Sequence, residues 1–131
     1  MTETSPFRSW EGVEPYSIFK GVGLHAIGGE QVLLCRVRYE PGTSVPRHAH
    51  EQTEQVMVIM EGDLRMTIGH ETRELQAGDV VVVNRGSEHD LYSQGGCTFF
   101  EALSPVPRDH VPDSERDLVL GADGGRLHVE R

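Results

Sequence analysis

Short runs in which apolar and polar residues alternate make up much of this chain. From Gln31 to Tyr39 one face of an extended segment would be apolar and the other would carry arginines; the apolar positions are Leu33, Cys35, Val37 and Tyr39. The same period of two returns from Leu64 to Ile68. Because side chains of a strand point alternately to its two faces, this pattern predicts half-buried β-strands.

Further strands are predicted where an apolar run lies between turn-forming residues such as Gly, Pro, Asn and Asp. They are Val56 to Met60, Glu71 to Leu75, Val80 to Val83 and Cys97 to Leu103. Helical periodicity is limited to a candidate turn over Asp113 to Asp117. Many short strands at regular spacing predict an all-β barrel or sandwich. The segment Arg116 to Arg131 fits a final hairpin and a loose tail equally well.

The run from Val56 to Met60 is apolar on both faces. A strand of this kind needs cover on both sides. The cover would be a second sheet together with a partner chain, or the terminal arms of the same chain. We therefore expect a homodimer formed by sheet packing.

Composition limits the classes of protein that fit. The 131 residues suffice for one domain, which we predict to span residues 1–131. The formal net charge of −9 argues against nucleic acid or an anionic membrane as partner. We recognise no bilayer-spanning run and no signal peptide. The two cysteines, Cys35 and Cys97, lie in strand-like segments and are interpreted as buried thiols, so a cytoplasmic protein is expected.

Two histidines at a spacing of two are the first sign of chemistry. On an extended segment His48 and His50 would point to the same face, and His89 follows a later break in the strands. A lone histidine on a strand is more often a surface or hydrogen-bonded residue than a ligand. Two on one face and a third after a turn favour a metal site, because neutral imidazole is a good ligand for Zn, Ni, Fe or Mn.

The spacing of glycines and histidines resembles the two motifs of the cupin superfamily. In the first motif Gly42 is followed after five residues by His48-Ala49-His50, after four more by Gln55 and after six more by Gly62. In the second, Gly78 precedes Asn84-Arg85-Gly86, His89 and Ser93. The chain has Gln55 where the first motif usually has Glu, and Asn84 and Ser93 where the second usually has Pro and Asn.

The resemblance implies a double-stranded β-helix, also called a jelly-roll barrel, over about residues 22–108, with terminal arms on either side. It implies one divalent transition metal ion held by His48, His50, Gln55 and His89. Glu54 is the alternative fourth ligand, although the spacing to Gly62 favours Gln55. Replacing Glu by Gln would leave the site more cationic and strengthen its Lewis acidity.

The last predicted strand resembles that of small uronate-linearising cupins of the KdgF type, in which an acid, an aromatic residue and an arginine lie near the metal. Here Glu101 and Arg108 would be the catalytic acid and arginine, and Leu103 replaces the aromatic residue. Small polyketide-cyclase cupins are similar in length and ligands. For these, the resemblance implies a wide apolar pocket, with Met57, Ile59, Met66 and Leu103 as candidate substrate-binding residues. Core packing is the alternative role for these side chains.

These observations lead us to expect a metal-dependent enzyme that combines Lewis-acid activation with proton transfer on a small oxygenated molecule. Cyclisation, isomerisation or linearisation of a sugar acid or polyketide-like compound would use this chemistry. An Fe-dependent dioxygenase is one alternative, and a non-catalytic sensing or storage cupin is another. No DNA-binding helix-turn-helix pattern is recognised in the sequence, which makes the sensor a weaker hypothesis.

Overall fold

The computed structural model describes residues 5–15, 17 and 19–106, which form nine β-strands. In chain order the strands are β1 (Val22–Gly28), β2 (Leu33–Tyr39), β3 (Thr43–His48), β4 (Glu54–Gly62), β5 (Leu64–Ile68), β6 (Glu71–Leu75), β7 (Val80–Val83), β8 (His89–Ser93) and β9 (Cys97–Ser104). Every other residue in these ranges is in a turn or coil, so the all-β prediction is confirmed there. Within the same ranges, no helix has the length and apolar character needed to span a membrane.

The nine strands form two antiparallel sheets. The larger has the order β1-β2-β9-β4-β7 and the smaller the order β3-β8-β5-β6. From β2 to β9 the chain passes repeatedly between the sheets, so strands distant in sequence become neighbours, as β9 does between β2 and β4. This winding encloses one core between the two sheets.

Strict alternation of buried and less buried residues in the central strands builds that core. In β9 the inward residues are Cys97, Phe99, Glu101 and Leu103. In β2 the predicted apolar face is buried and Arg38, on the other face, is exposed. Cys35 and Cys97 are both free and buried, in agreement with their interpretation as structural thiols.

The pattern of apolar residues did not delimit β1, β3 and β8. The sequence of β1, VGLHAIG, has glycine as its second and its last residue. The sequence of β3, TSVPRH, contains a proline and few apolar residues. In β8 the buried positions are His89, Leu91 and Ser93, so two of its three inward side chains are polar. A polar inward face hides the usual signal of a half-buried strand.

One glycine, the last residue of β4, is required by both its backbone and its surroundings. Gly62 has φ +86°, a conformation that residues with a Cβ atom adopt only with strain. A Cβ atom there would lie 2.2 Å from the carbonyl oxygen of Gly96 and 2.6 Å from Cα of Cys97. The last residue of β4 therefore packs directly against the backbone at the start of β9.

The outer face of the larger sheet is apolar and largely exposed. Leu34, Ala102, Val56 and Val82 are successive partners across four strands and form one apolar row over this face. Val82 is 53% exposed and the neighbouring Val80 is 62% exposed. β4 is thus apolar on both faces, as predicted. Its inner face lies in the core, and its outer face is exposed to solvent in the single chain.

The N-terminal arm, residues 5–15, covers part of this outer face. The Trp10 ring stacks on Phe100 with 6.2 Å between centroids, and the Arg36 guanidinium lies 5.0 Å from the Trp10 ring. The predicted C-terminal hairpin and the helical turn over Asp113 to Asp117 lie outside the described residues.

Replacing Gly62 by alanine should destabilise the fold far more than the same change at Gly78. Both glycines have positive φ, but nothing lies within 4 Å of a Cβ atom at Gly78. Gly78→Ala should cost about 1 to 2 kcal/mol from backbone strain alone, and Gly62→Ala should add an overpacking cost of about 1 to 3 kcal/mol. Urea unfolding of both variants measures the difference. Equal losses of stability would contradict the close backbone contact.

Candidate metal centre

Three histidines converge where β3 ends and β8 begins. His48 ends β3 and is paired with His89, the first residue of β8, while His50 follows β3 by two residues. The ring centroids lie 4.3 Å apart for His48 and His89, 5.2 Å for His48 and His50, and 5.5 Å for His50 and His89. One ring nitrogen from each residue lies within 4.8 Å of those of the other two. A single ion can reach three donors at this separation.

Backbone carbonyl groups orient two of the three rings. Nδ1 of His48 lies 2.7 Å from the carbonyl oxygen of Pro46, and Nδ1 of His89 lies 2.9 Å from that of Ser87. In a neutral ring the nitrogen facing a carbonyl oxygen must carry the proton. The lone pair is then on Nε2, the arrangement in which metal-binding histidines are usually held.

Burial keeps His89 neutral. Loss of hydration lowers the pKa of His89 to about 4, which outweighs the hydrogen bond to Ser87 that raises it, and His48 and His50 lower it further. Ionisation of a buried imidazole is costly because the charged form loses its water. The ring is therefore a neutral donor at physiological pH.

Gln55 faces the same cavity as the histidines. It is 4% exposed, and its Nε2 donates to Oε1 of Glu101 at 2.7 Å. The amide oxygen of Gln55 is buried and has no hydrogen-bond partner among the described residues. A buried polar atom without a partner is unfavourable. Glu54, the alternative ligand, is exposed on the opposite face of β4.

The donor set suits a divalent transition metal ion. Three imidazole nitrogens and an amide oxygen are ligands for such metals, and the partnerless oxygen of Gln55 would gain a contact. The three-histidine cluster is compatible with one ion per chain. The assignment of Gln55 as the fourth ligand stays a prediction.

The cavity around these residues is small and mostly apolar. Its volume is about 40 Å³, and its lining consists of Phe19, Val22, Leu24, Val37, Tyr39, Val45, His48, His50, Gln55, His89, Leu91, Phe99 and Glu101. Its polar residues include Glu101, which is 5% exposed. A buried carboxylate next to a metal site is a candidate for proton transfer.

Two aromatic residues of the cavity have distinct roles. Phe19 packs on His48 with 5.6 Å between ring centroids and covers one side of the histidine cluster. Burial raises the pKa of Tyr39 well above its usual value, and the charge of Glu101 adds to the shift, so its hydroxyl stays protonated. Phe19 lies in the segment before β1, where no periodic pattern signals a cavity residue.

The remaining predicted site residues are not gathered around the cavity. The proposed substrate-binding residues are all buried, but they are absent from the cavity lining; they are Met57, Ile59, Met66 and Leu103. Their role in binding substrate stays a prediction. Arg108, the predicted catalytic arginine, lies outside the described residues.

Comparison with known proteins identifies the family. The family model for the cupin domain matches residues 35–101, which is half of the chain. The chain belongs to the cupin domain family, and the predicted double-stranded β-helix is confirmed. KdgF from Halomonas sp. has a similar structure, with a TM-score of 0.70 at 18% identity over 76% of this chain and 94% of that one.

Two curated relatives with similar sequences belong to different functional classes, a polyketide synthase protein and a transcriptional regulator. The tetracenomycin polyketide synthase protein TcmJ of Streptomyces glaucescens is 26% identical over 97 residues, covering 72% of this chain and 65% of that protein. The HTH-type transcriptional regulator PuuR of Escherichia coli is 30% identical over 70 residues, covering 52% of this chain and 38% of the regulator. The chain thus spans less than two thirds of either relative.

We predict about one transition-metal ion per chain, because the cavity has a single set of donors. His89→Ala should abolish stoichiometric binding, whereas His70→Ala, a change at an exposed turn residue, should retain it. Elemental analysis after reconstitution with Zn²⁺ or Ni²⁺ measures the stoichiometry. A wild-type protein that takes up neither metal would contradict the site.

The fourth ligand can be tested with two adjacent residues of β4. Gln55→Ala should weaken metal binding by about tenfold or more, the usual effect of losing a coordinating or supporting contact. Glu54→Ala should leave the affinity nearly unchanged, because Glu54 lies on the exposed face. Titration of both apo variants with Ni²⁺ decides between them. A larger loss in Glu54→Ala would exclude Gln55 as the ligand.

Proposed function

We propose that this protein is a metal-dependent cupin enzyme that uses Lewis-acid and proton-transfer chemistry on a small oxygenated substrate. One observation carries the proposal: the buried carboxylate of Glu101 shares one small cavity with three histidines and Gln55. A buried acid beside the metal ligands is placed to exchange a proton with a bound substrate. An acid and a Lewis-acidic ion together can shift a proton within a carbonyl compound.

In this proposal His48, His50, His89 and Gln55 hold the metal, which would polarise a carbonyl or enol oxygen of the substrate. Glu101 accepts a proton at its carboxylate from the activated carbon or hydroxyl and returns it to another atom of the substrate. Tyr39 remains protonated and can donate a hydrogen bond to a substrate oxygen. The apolar walls exclude water, which strengthens the electrostatic effect of these polar groups.

The size of the cavity limits what enters it. A volume of about 40 Å³ corresponds to a few water molecules, since one water needs roughly 10 to 15 Å³ on this measure. The reacting end of a sugar acid or polyketide-like compound would therefore enter the barrel, and the rest would lie near Phe19 at its mouth. Similarity to the polyketide synthase protein TcmJ supports a polyketide-like substrate, and the resemblance of the last strand to uronate-linearising cupins supports a sugar acid. Cyclisation, isomerisation and linearisation are the reactions proposed.

Similarity to PuuR favours a second candidate function. PuuR is a transcriptional regulator, and its matched segment covers 38% of its length. The same barrel could bind a small ligand without turnover and transmit its presence to another molecule. The buried Glu101 is the feature that makes us prefer the enzyme.

The negative charge of the chain and its buried thiols support a cytoplasmic protein without a nucleic-acid or membrane partner. The net charge of −9 repels phosphate groups. Cys35 and Cys97 are free and lie in the core, as is usual for thiols in a reducing compartment.

A homodimer is the proposed assembly. The apolar row of Leu34, Ala102, Val56 and Val82 lies on an open sheet face, and large exposed apolar patches usually mark contact surfaces. Packing of two such faces would bury Val80 and Val82, which are exposed in the single chain. Sheets pack face to face at about 10 Å when both surfaces are apolar.

Turnover of the proposed kind should need no oxygen. We expect the Zn²⁺ or Ni²⁺ protein to convert an unsaturated uronate or an aromatic poly-β-ketone under strict anaerobiosis, because proton transfer changes no oxidation state. Glu101→Gln should lower the rate by about 10²-fold or more. NMR of the substrate follows the reaction. Stoichiometric oxygen consumption with a requirement for Fe would indicate a dioxygenase, and binding of either compound without turnover would favour the sensor.

The dimer should dissociate when a charge is placed on the apolar sheet face. Val82→Glu would bury an unpaired carboxylate in the proposed interface, which is strongly unfavourable. Ser44→Glu, at an exposed position of β3, is the matched control and should not affect assembly. Multi-angle light scattering at high micromolar concentration should give a dimer for the wild type and the control. A monomeric wild type would contradict the proposal.

A further inference from the structure

Gln55 and Glu101 face each other from neighbouring strands inside the barrel. β4 pairs with β9 so that Gln55 lies opposite Leu103 and Met57 lies opposite Glu101. The two side chains are therefore diagonal neighbours on the same inward face. They are 4% and 5% exposed, so neither can exchange its partner for bulk water without a change in the core.

Both N–H groups of the Gln55 amide have hydrogen-bond acceptors within the protein. Nε2 carries two hydrogen atoms, and it donates to Oε1 of Glu101 at 2.7 Å and to Sδ of Met57 at 3.5 Å. The oxygen of the same amide has no hydrogen-bond partner among the described residues, although it is buried. The amide is thus fully satisfied at its nitrogen and unsatisfied at its oxygen.

We propose that Glu101 is a positioning residue that fixes the orientation of the Gln55 amide, so that the oxygen and not the nitrogen is presented to the histidine cluster. This inference rests on the proposed role of Gln55 as a metal ligand. It gives Glu101 a function in building the metal site that is separate from proton transfer.

The opposite orientation of the amide is unfavourable while Glu101 is a carboxylate. A flipped amide would place its carbonyl oxygen against the carboxylate of Glu101, and two acceptors cannot form a hydrogen bond. It would also present an NH₂ group, which has no lone pair for coordination, to the metal. A carboxylate accepts strong hydrogen bonds, so Glu101 holds the amide more firmly than a neutral acceptor would.

The same contact explains why an amide stands at position 55. A carboxylate at position 55 would come within hydrogen-bonding distance of the carboxylate of Glu101, and two like charges in a buried site disfavour each other. The identities of the two residues are therefore coupled. Exchange of both at once, Gln55→Glu with Glu101→Gln, preserves one amide, one carboxylate and a hydrogen bond between them.

The coupling can be measured by metal titration of the full-length apo protein with Co²⁺, followed by the visible absorption of the bound ion. Glu101→Leu removes the acceptor and should weaken Co²⁺ binding by about tenfold, as for other contacts that orient a ligand. Glu101→Gln keeps an acceptor oxygen and should restore the affinity to within about threefold of the wild type. A role of Glu101 in packing alone would not distinguish these two variants in this way.

Two further proteins test the exchange and the specificity of the effect. Gln55→Glu alone should bind Co²⁺ more weakly than the exchanged double variant, whose spectrum should resemble that of the wild type. Leu64→Ala changes a fully buried residue of β5 that is absent from the cavity lining. It should lower the melting temperature and leave the Co²⁺ affinity unchanged.

The outcomes separate the inference from the proposed function. If Gln55→Ala weakens Co²⁺ binding and Glu101→Leu does not, Gln55 is a ligand and the positioning role of Glu101 is refuted. If Gln55→Ala has no effect, the ligand assignment fails, and this inference fails with it. If the wild-type protein binds no Co²⁺, the metal centre itself is refuted. Loss of affinity in Glu101→Leu with recovery in Glu101→Gln supports the inference.

Discussion

The pairing of β4 with β9 determines where the functional side chains lie. In the observed register Met57 is opposite Glu101 and Gln55 is opposite Leu103, so the amide and the acid both point inward. A slip of one residue would move each side chain to the other face of the sheet. Glu54 and Val56 would then face the cavity, and Gln55 would lie in solvent. The cavity and the apolar outer face thus depend on one register.

The metal site joins the two sheets of the barrel. His48 and His89 belong to β3 and β8 of the smaller sheet, whereas Gln55 and Glu101 belong to β4 and β9 of the larger one. An ion bound by residues of both sheets would link them beside the start of β4, at the other end of that strand from the tight contact at Gly62. Because such a site exists only in the folded chain, binding the ion would also stabilise the fold.

The sequence pattern predicted much of the fold because alternation reports directly which face of a strand is buried. The pattern located β2, β4, β5 and β9. It could not orient β4, because that run is apolar on both faces, so the inward position of Gln55 was predicted from its spacing to Gly62. Alternation shows which residues are buried, but not which of the buried residues line a cavity. Met57 and Leu103 do face inward, yet they lie in the core and are absent from the cavity lining. No pattern of apolar and polar residues could identify Phe19, because it contacts His48 from the segment before β1.

The account depends most on the composition of the metal coordination shell, which X-ray absorption spectroscopy of the Zn²⁺-loaded protein measures directly. We predict three imidazole nitrogens at about 2.0 to 2.1 Å, at least one oxygen donor, and no sulfur. Replacing Gln55 by alanine should change only the oxygen part of the spectrum. A shell with fewer than three imidazoles, or one that contains a thiolate, would contradict the arrangement of His48, His50, Gln55 and His89.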